Sequence, residues 1–222
     1  EIDYKDRIEV ESAQAILSSD PNGPSVTRNE FGDLIGVTTS YFNEENTLIR
    51  GADFNINYLL DIKDNGYLTF SLKGTKLDKF LTPGLAENQQ LRMINRVGKF
   101  NFNAHTHSLP KNRINSFINW NYKDYVFGLT SRYIDGYVNE RAITGLGITY
   151  GYENKIDSFL VHDLSLRKIL KVSSGELKLN LALINILDES APRLYDAPDF
   201  SFDTRVHDPR GRMLGVNIEY KF

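Results

Sequence analysis

Apolar side chains recur at every second position along most of this chain, and that period of two constrains its fold more than any other feature. In the closing stretch GVNIEYKF, Val216, Ile218, Tyr220 and Phe222 share one parity with Leu214 before them. Gly215, Asn217, Glu219 and Lys221 share the other. An extended strand of this kind turns one face to apolar surroundings and the other to water. Two environments supply that pair of faces: the core side of a soluble sandwich and the lipid side of a membrane barrel.

The alternation repeats from end to end. Ile2, Tyr4, Ile8 and Val10 oppose Asp3, Lys5, Arg7 and Glu9, and Ile35, Val37, Thr39 and Tyr41 follow. Ala52, Phe54, Ile56, Tyr58 and Leu60 oppose Asp53, Asn55 and Asn57; Leu68, Phe70 and Leu72 oppose Thr69, Ser71 and Lys73. Ile114, Ile118, Trp120 and Tyr122 oppose Arg113, Asn115, Asn119 and Asn121, then Tyr125, Phe127, Leu129 and Tyr133 continue the pattern. Leu160, Leu164 and Leu166 form another set, broken by His162, and Leu177, Leu179, Leu181 and Leu183 oppose Lys178, Asn180 and Ala182. With the last strand this makes about nine, each near the roughly 9 to 11 residues that cross a bilayer at a tilt.

Composition narrows the function classes. A net charge of -3 and a pI near 5.9 give no basic field to recruit phosphate backbones, which argues against a nucleic-acid partner. The chain has no cysteine, so disulfides, thiolate zinc sites and cysteine nucleophiles are excluded together. No run approaches the roughly 18 apolar residues of a membrane helix. The mean hydropathy of -0.38 reads as soluble. A transmembrane barrel reads the same way, because only alternate residues meet lipid. The charged, alternating N-terminus is not a signal peptide.

Connections alternate in length, which separates the two environments. Residues 63–66, 122–124 and 171–175 form short turns, whereas 79–112, 135–157 and 188–210 form long polar loops. Barrels of an outer membrane place short turns on one side and long loops on the other. Residues 13–32 are the expected exception, long on the short side, with a brief helix over 13–18. Tyr58, Tyr122, Tyr125, Tyr220 and Phe222 gather near the short turns as an interfacial girdle would. An odd strand count implies that a closed barrel needs strands from outside these residues.

Catalytic chemistry finds little support, and the chain reads as a non-enzyme without cofactor or metal. His105 and His107 could form half a metal site if extended, yet no third ligand stands at a familiar spacing. His162 and Asp163 fall on opposite faces of one strand. His207 could pair with Asp208, and Asp199 with Asp203, though loop charge explains both. Binding fits better. The long loops mix aromatic, cationic and amide side chains: Gln89, Gln90, Arg92 and Arg96; His105 and His107; Tyr137, Arg141, Tyr150 and Tyr152; Arg193, Tyr195, Phe200, Phe202 and Arg205. Aromatic faces suit sugar or catechol rings, and arginines suit anionic groups.

The last forty residues, read together, resemble the C-terminal signature of TonB-dependent outer-membrane receptors. The penultimate strand runs into Asn185, Ile186, Leu187 and Asp188, similar to an Asn-apolar-Phe-Asp motif with Leu for Phe. Pro192 and Tyr195 follow, Gly211 and Arg212 open the last strand, and Phe222 ends it. Upstream, LIRGAD at 48–53 and SLPKNR at 108–113 resemble the family's strand openings. The resemblance implies an all-β transmembrane antiparallel barrel, with residues 1–222 as about the last nine of 22 strands and the plug domain outside this chain. It implies Gly215, Ile218, Tyr220 and Phe222 as the signal read by the barrel-assembly machinery. It further implies a bacterial outer-membrane location and active import of a scarce solute, whether siderophore, cobalamin or oligosaccharide. The partners it implies are the bilayer, the plug and N-terminal strands, the TonB energy-coupling complex and the ligand. A pore or adhesin barrel and a soluble glycan-binding sandwich are the alternatives.

Overall fold

The computed structural model describes the chain apart from residues 12, 14–15, 18–19, 86–90, 102–106, 141–148, 150, 152 and 196–199. Its described elements are β1 (Ile2–Val10), β2 (Val26–Arg28), β3 (Leu34–Val37), β4 (Tyr41–Asp61), β5 (Tyr67–Leu85), β6 (Leu91–Asn95), β7 (Asn112–Tyr122), β8 (Tyr125–Ile134), β9 (Tyr137–Val138), β10 (Lys155–Ile156), β11 (Phe159–Val172), β12 (Gly175–Ile184) and β13 (Met213–Lys221). One large sheet follows the order β1-β4-β5-β7-β8-β11-β12-β13, with β6 added to β5. Consecutive pairings along that path, where register is defined, are antiparallel. The sheet is open, with β1 and β13 at its two ends. Contacts divide the chain into two compact units: Glu1–Gly51 with Leu77–Leu109 and Val138–Asn154, and Ala52–Lys76 with Pro110–Tyr137 and Lys155–Phe222.

In the second unit the register turns local alternation into rows. Antiparallel partners share a face, so Leu68, Trp120, Phe127, Leu166, Leu181 and Val216 form one row across six strands. Phe70, Ile118, Leu129, Leu164, Leu183 and Leu214 form the next. The opposite face carries Thr69, Asn119, Gly128, Ser165, Ala182 and Gly215 in one row, and Tyr67, Asn121, Val126, Arg167, Asn180 and Asn217 in another. The apolar rows lie open: Leu181 is 44% exposed, Val216 62% and Ile218 64%. A water-soluble sandwich would press them against a second layer. Among the described residues the buried apolar side chains are instead Ile16, Phe100, Tyr137, Ile156, Phe159, Val161 and Leu194. Apart from Val161, one row into β11, these lie in connections or at strand ends that join them. Among the described residues no helix is long and apolar enough to cross a membrane.

Tight turns hold one end of the rows. Tyr122 pairs directly with Tyr125, and Val172 with Gly175. Lys123 takes the left-handed conformation, φ 51°, that such a turn needs. Between β4 and β5, a 3-10 turn at Lys63–Asn65 ends on Gly66 at φ 83°, where a Cβ would collide with the Asn121 carbonyl oxygen.

Several expectations change. Residues 35–41 are not one strand: β3 pairs with β2 in a separate hairpin, and Tyr41 opens β4. Val10 pairs with Tyr41, so the connection 11–40 leaves β4 at the end opposite its turn at 62–66. It therefore belongs with the long loops, and the supposed exception disappears. Ala13, Ile16 and Leu17 are helical, while 14, 15 and 18 fall outside the described residues. The loop expected from 79 is strand as far as Leu85 and again at Leu91–Asn95. The count of nine stands for the whole sheet only because β6 replaces the lost strand; the continuous path has eight, so the argument from an odd number falls.

Candidate functional site

The strand ends away from the tight turns carry the functional geometry of the second unit. Where β12 stops, Asn185 adopts φ 52°, a left-handed conformation that asparagine tolerates because its short amide bonds locally. Its Nδ2 donates to the Glu189 carbonyl at 2.9 Å and the Arg210 carbonyl at 3.3 Å, while its Oδ1 accepts from the Glu189 N–H at 2.8 Å. Asp188 Oδ1 accepts the Arg212 N–H at 2.7 Å, and a Cβ on Gly211 would stand 2.7 Å from the same oxygen. The Asn-x-x-Asp and Gly-Arg motifs thus form one clamp. They bring the start of β13 back to the end of β12 and set the register between them. Asp163 on β11 anchors the clamp: its Oδ1 accepts the Asn185 N–H at 2.9 Å, and its carboxylate pairs with Arg132 of β8.

Described residues of the connection from β12 to β13 pack against other parts of the same unit rather than running free. Leu194 is 1% exposed, and Tyr137 donates its hydroxyl to Asp203 at 2.7 Å. His207 stacks on Tyr137 with centroids 5.9 Å apart and meets the edge of Phe159 at 5.4 Å. Its backbone N–H donates to the Asp203 carbonyl at 3.0 Å, but neither ring nitrogen has a partner. Burial therefore holds the imidazole below its ordinary pKa; Asp203 opposes the shift and Arg113 adds to it. His207 does not pair with Asp208, whose carboxylate is held down to about 2 by hydrogen bonds from Arg210.

Beside this folded connection lies a pocket of about 260 Å³. Its polar lining is Arg113, Asn115, Arg132, Asn185, Asp208 and Arg210, set against Tyr133, Phe159, Val161 and Met213 among others. Asp163 neutralises Arg132 and Asp208 neutralises Arg210. Among the described residues Arg113 makes no ion pair, so the pocket keeps one guanidinium without a carboxylate partner there. A cationic, half-apolar cavity of this kind suits the anionic group of a ring-bearing solute. Loop composition overlooked Arg132 and Arg113 as a pair; the alternation of β7 and β8 carried the signal, since Asn115 and Arg132 are direct partners on the polar face.

The sequence-derived candidates scatter. Tyr137 is 3% exposed and belongs to the folded core, not to a ligand surface. Arg92 is exposed on β6, whereas Arg96 donates to Thr82 at 3.0 Å. Arg193, Tyr195 and Arg205 are exposed around Leu194 and Asp203. Phe200 and Phe202 lie 5.7 Å apart. His105, Arg141, Tyr150, Tyr152 and Asp199 lie outside the described residues, as do Gln89 and Gln90. His107 sits exposed at φ 60°, its carbonyl accepting from Asn101 at 2.7 Å. Among the described residues no group of three or more histidine, aspartate or glutamate side chains gathers at metal-binding distance. His162 bonds Ser131 at 2.7 Å, on the face opposite Asp163. Gly215, Ile218 and Tyr220 lie on β13, and Phe222 follows it.

No protein-family model and no curated protein sequence matches the chain. Solved structures do. A mutant of the ferric enterobactin receptor PfeA from Pseudomonas aeruginosa is 14% identical with a TM-score of 0.55, over 97% of this chain and 27% of that one. The siderophore receptor PirA from Acinetobacter baumannii is 16% identical with a TM-score of 0.53, over 99% of this chain and 28% of that one. The chain thus spans little more than a quarter of their length. Its open antiparallel sheet has the fold of part of these two receptors.

Proposed function

We propose that this chain is a section of the wall of a bacterial outer-membrane receptor that imports a scarce anionic solute, of the ferric siderophore class, with TonB-coupled energy. One observation carries the reading: six strands align their apolar residues into continuous rows, half-buried or exposed and none buried, and their polar residues into rows behind, with the long connections at one end. Such a sheet is stable where hydrocarbon covers one face and water or protein the other. The pocket with the unpaired Arg113 supports an anionic solute, and both solved relatives are siderophore receptors. The partners of the reading are the bilayer, a plug and further strands completing the barrel, the TonB complex acting through that plug, and the barrel-assembly machinery. For the last of these, the surfaces on offer are Gly215, Ile218, Tyr220 and Phe222. A glycan-binding sandwich is disfavoured by the open apolar rows.

The test is uptake of a labelled ferric siderophore by cells carrying the intact protein, under iron limitation. Uptake should require the proton gradient and fall at least several-fold in Arg113→Ala. Uptake that persists without the gradient would instead indicate a passive pore.

A further inference from the structure

We infer that the aromatic rim at the tight-turn end of the apolar face binds the phosphate of a phospholipid headgroup through Lys123 and Lys168. The inference rests on the membrane reading above, which makes this face the lipid-contacting one. In the row nearest the turn, Tyr122 pairs with Tyr125 and Tyr125 with Lys168. Lys168 therefore stands on the apolar face, where its partner on the other side is Leu179. A lysine there extends its chain along the apolar surface and needs its ammonium at the polar edge.

Its ammonium is placed over the Tyr125 ring, 4.7 Å from the centroid. Lys123, in the turn, places its own over the neighbouring Tyr122 ring at 4.9 Å. Each cation thus lies over a ring of one stacked aromatic platform, in which Tyr125 also stacks on Phe127 at 6.0 Å. The platform is rigid: Trp120 stacks on Tyr122 at 5.6 Å and on Phe127 at 5.3 Å, and its indole donates to the Asn65 carbonyl at 2.9 Å. Among the described residues neither lysine forms an ion pair, although Asp124 follows Lys123 directly, whereas Lys178 on the polar face is held by Glu176 and Glu219. Lys178 thus finds its counter-charge within the chain, and among the described residues the two lysines of the rim do not. A phosphate at the boundary between hydrocarbon and water supplies the missing charge, while its acyl chains cover the apolar rows behind the rim.

The experiment uses the intact protein in phosphatidylcholine vesicles doped with nitroxide-labelled phosphatidylglycerol or nitroxide-labelled diacylglycerol, which lacks the phosphate. Electron paramagnetic resonance reads the motionally restricted fraction of each. The expected result is a restricted fraction several-fold larger for phosphatidylglycerol, reduced to the diacylglycerol level in the double variant K123Q/K168Q and unchanged in K171Q, on the polar face at the same end. Heat-modifiable gel migration shows that each variant is inserted. Equal fractions for the two lipids, or no loss in an inserted double variant, would overturn the inference and leave the membrane reading intact. Displacement of the labelled lipid by inorganic phosphate would also overturn it, in favour of a free-anion site. A protein that inserts into no vesicle removes the membrane reading itself.

Discussion

The strands β7, β8, β11, β12 and β13 and the connection that joins β12 to β13 belong to one unit yet obey opposite rules. In the strands, leucine and valine point outward, and the backbone ladder with its cross-strand pairs holds the sheet. In the connection Leu194 is 1% exposed and His207 4%, the imidazole packed against Tyr137 and Phe159 as in a small soluble core. The same residue types are therefore held by solvent on the wall and by protein in the connection. Wall positions should be sensitive to charge and indifferent to volume, and connection positions the reverse.

The largest effect should come from volume in the connection. Leu194→Ala should weaken its docking by about 2–5 kcal/mol, read as faster hydrogen exchange and proteolysis over 188–210, with heat-modifiable migration unchanged. Charge on the wall should come next: Leu181→Lys should cost about 2–4 kcal/mol near the bilayer midplane in urea titrations of vesicle-folded protein. Asn180→Lys, one residue away on the polar face, should change little. Equal costs at the two positions would erase the comparison. A smaller effect is expected where wall and connection meet. Asp163→Ala leaves the Asn185 N–H without its acceptor and Arg132 without its partner, for about 1–3 kcal/mol, visible as exchange at Asn185 and Ile186. The smallest is a pH dependence. The folded state holds His207 neutral below its ordinary pKa, so the unfolded connection binds more protons as pH falls from that ordinary value towards the depressed one. Docking should be fully stable above the ordinary value and weaken through this interval. His207→Phe should abolish the dependence in proteolysis profiles.

Most of the wall was legible in the sequence. A period of two specifies faces wherever one face must be apolar, and the turn residues at 63–66, 122–124 and 171–175 fix where strands reverse. The beginning of β4 was not legible, because YFNEENT has no clean alternation; β1 holds it through backbone pairing from Ile2↔Ile49 to Val10↔Tyr41. The folded connection was invisible for a different reason. Tyr137 and Asp203 stand 66 residues apart and meet only in three dimensions, and Leu194 lies among polar neighbours with no period to mark it. The motif residues Asn185, Asp188, Gly211 and Arg212 could be read as a resemblance, but the clamp they build follows only from the positive φ at Asn185 and its three side-chain hydrogen bonds.

The most direct test exploits the lack of native cysteine in this chain. Single cysteines placed from Leu177 to Leu183 on β12 of the intact protein, each spin-labelled in phospholipid vesicles, would report collision with oxygen dissolved in lipid and with a water-soluble nickel chelate. Oxygen should dominate at 177, 179, 181 and 183, and the chelate at 178, 180 and 182. Labels that meet the chelate equally at all seven positions would contradict a wall with one face in hydrocarbon.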